Sequence, residues 1–137
     1  MVTVIDATDL VYGRLASIVA ERIMDGEEIV VINSESLIMT GDKAALNAKF
    51  QHRIDLGDAT KRKGPFYPRR ADLLFKRSVR GMIPWKKSSG RDAYRRLHVF
   101  VGTPKQFSGA TVEVPAEAKK KIVGKYKIGR ASCRERV

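Results

Sequence analysis

At 137 residues the chain is long enough to enclose one hydrophobic core and too short for two, and its 43% hydrophobic content excludes a disordered polyelectrolyte. The formal net charge of +12 is unevenly spread: residues 1–60 carry five basic and ten acidic side chains, residues 61–105 fourteen and two, and residues 106–137 eight and three. A single cysteine, Cys133, excludes an intrachain disulfide and a cysteine-based metal cluster.

The chain starts Met1-Val2-Thr3-Val4-Ile5-Asp6, without the basic and apolar regions of a signal peptide, and no run of about eighteen apolar residues occurs anywhere. A soluble cytoplasmic protein is expected. Thr3 to Ile5 reads as a short buried strand, and Glu28 to Asn33 as a longer β-branched one. Between them Leu15, Ile18, Val19, Arg22 and Ile23 recur at helical spacing, a stripe with one basic exception, and Gly26 supplies the C-terminal cap. Strand, helix and strand in that order predict a βαβ unit and a parallel sheet. Asp42 to about Ile54 predicts a second helix, with Thr40 or Asp42 as its cap. From Gly57 to Pro65 no periodicity survives, which predicts a solvated loop, and Phe66-Tyr67-Pro68 extends it.

Arg69 to Arg80 predicts a two-sided helix. At 100° per residue Arg69, Arg70, Lys76, Arg77 and Arg80 share an arc of about 120°, while Ala71, Leu74, Phe75, Val79 and Met82 take the opposite side and Leu73 falls among the cations. Gly81 is expected to end it and Pro84 to prevent its resumption. A short helix from Arg91 to Arg96 leads into a third strand, Leu97 to Val101, stopped by Gly102 and Pro104. Thr111 to Val114 reads as extended and Ala116 to Val123 as a small helix. No internal repeat is present.

The phosphate-binding loops of α/β enzymes are missing. Asp6 to Arg14 contains one glycine where a dinucleotide site requires three, and no P-loop occurs. His52 and His98 lie in no zinc or general-base motif, and Ser34, Ser36 and Thr40 in no nucleophile elbow. Turn and cap roles are expected for Asp6 and Asn33 at the strand ends. No catalytic residue, metal or cofactor is expected.

Binding chemistry is concentrated between residues 61 and 105. Lys61-Arg62-Lys63, Arg69-Arg70, Lys76-Arg77 with Arg80, Lys86-Lys87, Arg91, Arg95-Arg96 and Lys105 come in clusters opposed only by Asp72 and Asp92. Arginine holds phosphate oxygens in pairs and lysine adds a mobile point charge. The inferred partner is nucleic acid. Trp85, beside these clusters, is grouped with them as a stacking residue, whereas Phe66 and Tyr67 are expected to anchor their loop on the core. The segment has no helix-turn-helix spacing, zinc finger or basic zipper, so structured RNA suits it better than a DNA groove.

Ser78-Val79-Arg80-Gly81-Met82-Ile83-Pro84 with Trp85-Lys86-Lys87, then Gly90, Ala93 and Arg95 through Pro104, resemble the signature of the ribosomal protein L-thirteen family. Asp6-Ala7, Gly13 through Ser17, Val30 through Glu35 and Thr40-Gly41 match its amino-terminal half, and Gly64-Pro65-Phe66 resembles its archaeal and eukaryotic branch. The resemblance covers about residues 2–126. It implies a three-layer α/β/α domain around a four-stranded parallel sheet, with a basic loop-and-helix extension. It also implies a place in the large ribosomal subunit, contact with large-subunit rRNA and neighbouring ribosomal proteins, and no catalysis. A nucleotide-using enzyme and a free regulatory RNA-binding module are the competing readings. Residues 1–127 are expected to form one domain; residues 128–137 look foreign to it, and a family member would continue there with a further helical segment.

Overall fold

In the computed structural model, which describes residues 1–58, 60–119 and 124 and the backbone of 126–128, strand β1 (Val2–Asp6) leads through a short turn into helix α1 (Tyr12–Met24). Leu15, Ala16, Val19, Ala20 and Ile23 are buried along one side of α1, as their spacing requires. Gly26, at φ +103°, ends it: the amide of Gly26 donates to Ile23 and that of Glu27 to Arg22, the two bonds of a left-handed C-terminal cap. Strand β2 (Glu28–Ile32) follows, then strand β3 (Ile38–Thr40), which sequence periodicity did not reveal, and helix α2 (Lys43–Asp55).

Helix α3 (Ala71–Met82) starts later and ends later than expected. Arg70 is extended, and Gly81 continues the helix instead of stopping it. The stop comes from Pro84, whose ring drives the preceding Ile83 into extended backbone, φ −110° and ψ 157°. Met82, expected on the packed side, is half exposed, and the adjacent Ile83 is buried in the core instead. Helix α4 (Ser88–Arg95) begins three residues before the predicted Arg91. Strand β4 (Leu97–Val99) is shorter than expected, and strand β5 is reduced to Val112–Glu113. Of the helix anticipated from Ala116, a single turn over Ala116–Ala118 is seen, and 120–123 lie outside the described residues. Strand β6 (Tyr126–Ile128) pairs antiparallel with β3, Ile38 opposite Ile128; Ile128 had been grouped with the foreign-looking tail, whose residues 129–137 lie outside the described set.

Four strands form a parallel sheet in the order β4-β2-β1-β5. Alternation divides its side chains between two layers. Ile5, Ile29, Val31 and Leu97 meet α1, α3 and α4, burying Phe75, Val79 and Ala93 completely. Val4, Val30 and Ile32 face the other way, onto Phe100, Phe107 and Ala110 from the segment that includes the short turn Lys105–Phe107. This is the expected three-layer α/β/α arrangement, with one thick helical layer and one thin one.

Two contacts hold neighbouring elements together at the margins. Arg22, the basic exception in the α1 stripe, donates from Nε to Glu27 (2.9 Å) and from both terminal nitrogens to Glu113 (3.0 and 3.2 Å), fastening β5 to the helix. Burial works against its charge, but the two carboxylates prevail and raise its pKa. Gly90 permits the approach of α4 to the preceding turn: a Cβ there would lie 2.2 Å from the carbonyl oxygen of Pro84.

Candidate nucleic-acid interface

Leu74, Phe75 and Val79 turn one side of α3 into the core, which leaves Lys76, Arg77 and Arg80 on the other. Leu73, which interrupts the cationic arc in sequence, is 46% exposed there. Among the described residues no carboxylate lies at ion-pair distance from these three cations. Each is instead seated on an aromatic ring. The Lys76 ammonium lies 4.8 Å from the centre of Tyr94, the Arg77 guanidinium 5.6 Å from Tyr67, and the Arg80 guanidinium 4.2 Å from Trp85. Trp85 meets Tyr94 edge-on at 5.0 Å, so two of the seats support one another. Such contacts contribute about 0.5–1 kcal/mol each at exposed sites. They restrict where the cation can be without cancelling its charge, as a carboxylate would. Partial burial also lowers the Lys76 pKa.

The turn after α3 continues this surface. The Trp85 amide donates to Ile83 and the Lys87 amide to Pro84, and Lys86 and Lys87 are exposed beside the half-buried Trp85. Arg77, Arg80, Trp85, Lys86 and Lys87 line a depression of about 520 Å³. Trp85 therefore serves the core and the charged surface at once: its ring packs against the core cluster and carries Arg80.

Lys61, Arg62 and Lys63 sit on a tight turn within the expected solvated loop. Asp58 and Lys63 exchange backbone hydrogen bonds of 2.9 and 3.2 Å, and the Asp58 carboxylate accepts from the amides of Thr60 and Lys61. Arg62 takes φ +50° and Gly64 φ +94°; a Cβ at Gly64 would lie 2.7 Å from the Leu56 carbonyl oxygen. The turn thus holds its three cations outward, all exposed. Tyr67 is half-buried, but its ring partners are the guanidinium groups of Arg53 and Arg77 and not the apolar core on which it was expected to anchor. Nor does Phe66 anchor there: it is 63% exposed, its ring resting against Gly57.

The remaining predicted cations divide. Arg69 and Arg91 are exposed. Arg70 precedes α3 and pairs with Asp72 at 2.9 Å, and Arg95 pairs with Asp92 at 3.3 Å, so the two acids of the basic segment act locally. Arg96 is drawn into the fold, donating from Nη2 (2.7 Å) and Nε (3.3 Å) to the Ile23 carbonyl near the end of α1. Lys105 opens the short turn of the thin layer, across the sheet from α3. Arg53 was missed: it lies on α2 and reaches the same Tyr67 ring that carries Arg77. Its partner is fourteen positions away, beyond any helical or strand spacing.

The strand ends, where an α/β enzyme would bind its ligand, are occupied by structural hydrogen bonds. Asp6 Oδ1 accepts from the Thr8 amide (3.0 Å), the Thr8 hydroxyl (2.7 Å) and Asn33 Nδ2 (3.0 Å). Burial opposes its ionisation, yet these donors hold its pKa below the ordinary 3.8. Asn33, at φ +55°, accepts from Thr103, and Glu35 accepts from the Gly102 amide. Turn and cap duties account for these residues.

Comparison with known proteins agrees with this architecture. A sequence model of the family described as Ribosomal protein L13 matches residues 1–106. A protein of Methanopyrus kandleri named large ribosomal subunit protein uL13 is 52% identical over 81% of this chain and 69% of its own length. Its namesake in Archaeoglobus fulgidus is 50% identical over 81% and 70%, and that of Methanosphaera stadtmanae 47% over 96% and 95%. By the extent of these matches, the chain belongs to the ribosomal protein L13 family.

Proposed function

We propose that this protein is a non-enzymatic constituent of the large ribosomal subunit in the cytoplasm, binding large-subunit rRNA through a basic face centred on α3 and so supporting subunit assembly. One observation carries the reading: Lys76, Arg77 and Arg80 are oriented by aromatic rings and, among the described residues, left without carboxylate partners. A charge that is positioned but unneutralised is complementary to a phosphate. Lys61, Arg62, Lys63, Arg69, Arg70, Trp85, Lys86, Lys87, Arg91 and Arg95 extend the face. Lys105 provides a contact from the thin layer, and Arg96 contributes the donors that the Ile23 carbonyl leaves over. The names of the archaeal relatives support the large subunit as the assembly, with other large-subunit proteins as neighbours. The reading includes no cofactor and no small-molecule substrate.

Sucrose-gradient fractionation of a tagged chain tests it. The wild-type protein is expected to sediment with large subunits. The variant Lys76→Glu/Arg77→Glu/Arg80→Glu is expected to stay at the top of the gradient while melting within a few degrees of wild type, because these side chains lie outside the apolar core. Incorporation of the variant at the wild-type level would refute the assignment of this face.

A further inference from the structure

A second basic concavity lies outside the segment that dominates the charge. It is a cleft of about 500 Å³ between the start of α1 and the inner side of α2, within the roughly 300–1,000 Å³ range of small-ligand pockets. Arg14, Lys49 and Arg53 line it, and no carboxylate does among the described residues. Leu46 and Phe50 supply an apolar wall, and Gly13 leaves the opposite side open. Three cations around an apolar slot fit a ligand that is flat and apolar at one end and anionic at the other. A nucleotide has that chemistry.

The cleft also joins the face described above. Arg53 lies 5.7 Å from the ring centre of Phe50, inside the cleft, and 5.1 Å from that of Tyr67; Arg77 of α3 lies 5.6 Å from the same Tyr67. An RNA strand whose phosphates meet Arg77 therefore passes Arg53 next. Among the described residues helix α2 has none that is fully buried, and Leu46 and Phe50 are only half-buried along the cleft.

We propose that this cleft seats one unpaired nucleotide of the RNA strand that crosses α3, its base against Leu46 and Phe50 and its phosphates on Arg14, Lys49 and Arg53. This rests on the rRNA-binding reading and extends it to a site and to residues outside 61–105. The recognition is of single-stranded character, since entering the slot costs a paired base its stacking and pairing, about a few kcal/mol that an unpaired one does not lose.

Gly13 makes the test clean. A Cβ built there meets nothing within 4 Å, and its backbone is not left-handed, so a larger side chain is accommodated at the edge of the cleft without displacing the fold. The experiment measures affinity of the full chain for a large-subunit rRNA transcript, with melting temperature alongside. Gly13→Phe and Leu46→Trp are expected to melt as wild type and to bind about ten- to a hundredfold more weakly, the effect of losing one stacked base. Ultraviolet crosslinking of the wild-type complex is expected to leave nucleotide adducts on peptides carrying Tyr12 or Phe50. Filled variants that bind as tightly as wild type would overturn the proposal. So would crosslinks confined to the α3 face, which decides the matter even if both filled variants fold poorly. If the wild-type chain itself ignores the transcript, it is the rRNA-binding reading that fails. If the wild type binds and the triple glutamate variant does not, while the filled variants do, only the cleft is refuted.

Discussion

Helices α1 and α3 pack against each other on the same side of the sheet and bury similar apolar stripes, yet Arg22 of the first and the arginines of the second are held in opposite ways. Arg22 of α1 is bonded to Glu27 and Glu113. Arg77 and Arg80 of α3 lie on Tyr67 and Trp85 instead. An arginine half-buried between two carboxylates, as Arg22 is, is electrically complete and works as a fastener, unlike the exposed Arg70 and Arg95 with one acid each. An arginine on an aromatic ring is held in place and keeps its field. The two helices show that net charge alone does not mark a binding surface; the partner of each charge does.

The largest stability effect is expected where the helices share their support. Phe75, fully buried, meets Tyr12 of α1 edge-on at 5.7 Å. Phe75→Ala removes that contact and leaves a cavity at a cost of about 3–5 kcal/mol, measurable by denaturant unfolding, and a loss under about 1 kcal/mol would contradict this packing. Arg22→Ala sharpens the contrast at about 1 kcal/mol of stability, the scale of partly exposed ion pairs, with rRNA affinity unchanged. The smallest effect concerns pH. Because the folded-state pKa of Asp6 lies below its unfolded value, its stabilising contribution is present above about pH 4 and fades as pH falls through the folded pKa. Asp6→Asn is expected to flatten that acid limb of a stability-against-pH curve, and an unaltered limb would place the dependence elsewhere.

Part of this contrast was legible in the sequence. The α1 stripe, the β-branched strands and the cationic arc of α3 follow from local periodicity, because each is written within a few turns of one element. The family signature spans the elements and brought the sheet with it. The pairing of cations with rings was not legible: Tyr67 and Arg77, or Lys76 and Tyr94, are joined only by tertiary packing. Arg96 shows the same limit, since no local pattern reveals that the Ile23 carbonyl needs a donor. Phe66 was misjudged because an aromatic in a loop ordinarily packs, whereas here Gly57 and Gly64 make the turn so tight that the ring stays outside. Strand β3 is three residues long and takes its identity from its pairing with β6, far away in sequence.

The central claim is that α3 offers phosphates its ring-seated cations while Arg22 of α1 is withheld by its two carboxylates. The direct measurement is the dependence of rRNA affinity on salt, as log Kd against log salt concentration, for wild type, Arg77→Ala/Arg80→Ala and Arg22→Ala. The account predicts a steep slope for wild type, a slope shallower by about 0.7–0.9 for each α3 arginine removed, and a wild-type slope for Arg22→Ala. Equal slopes for all three proteins would contradict it.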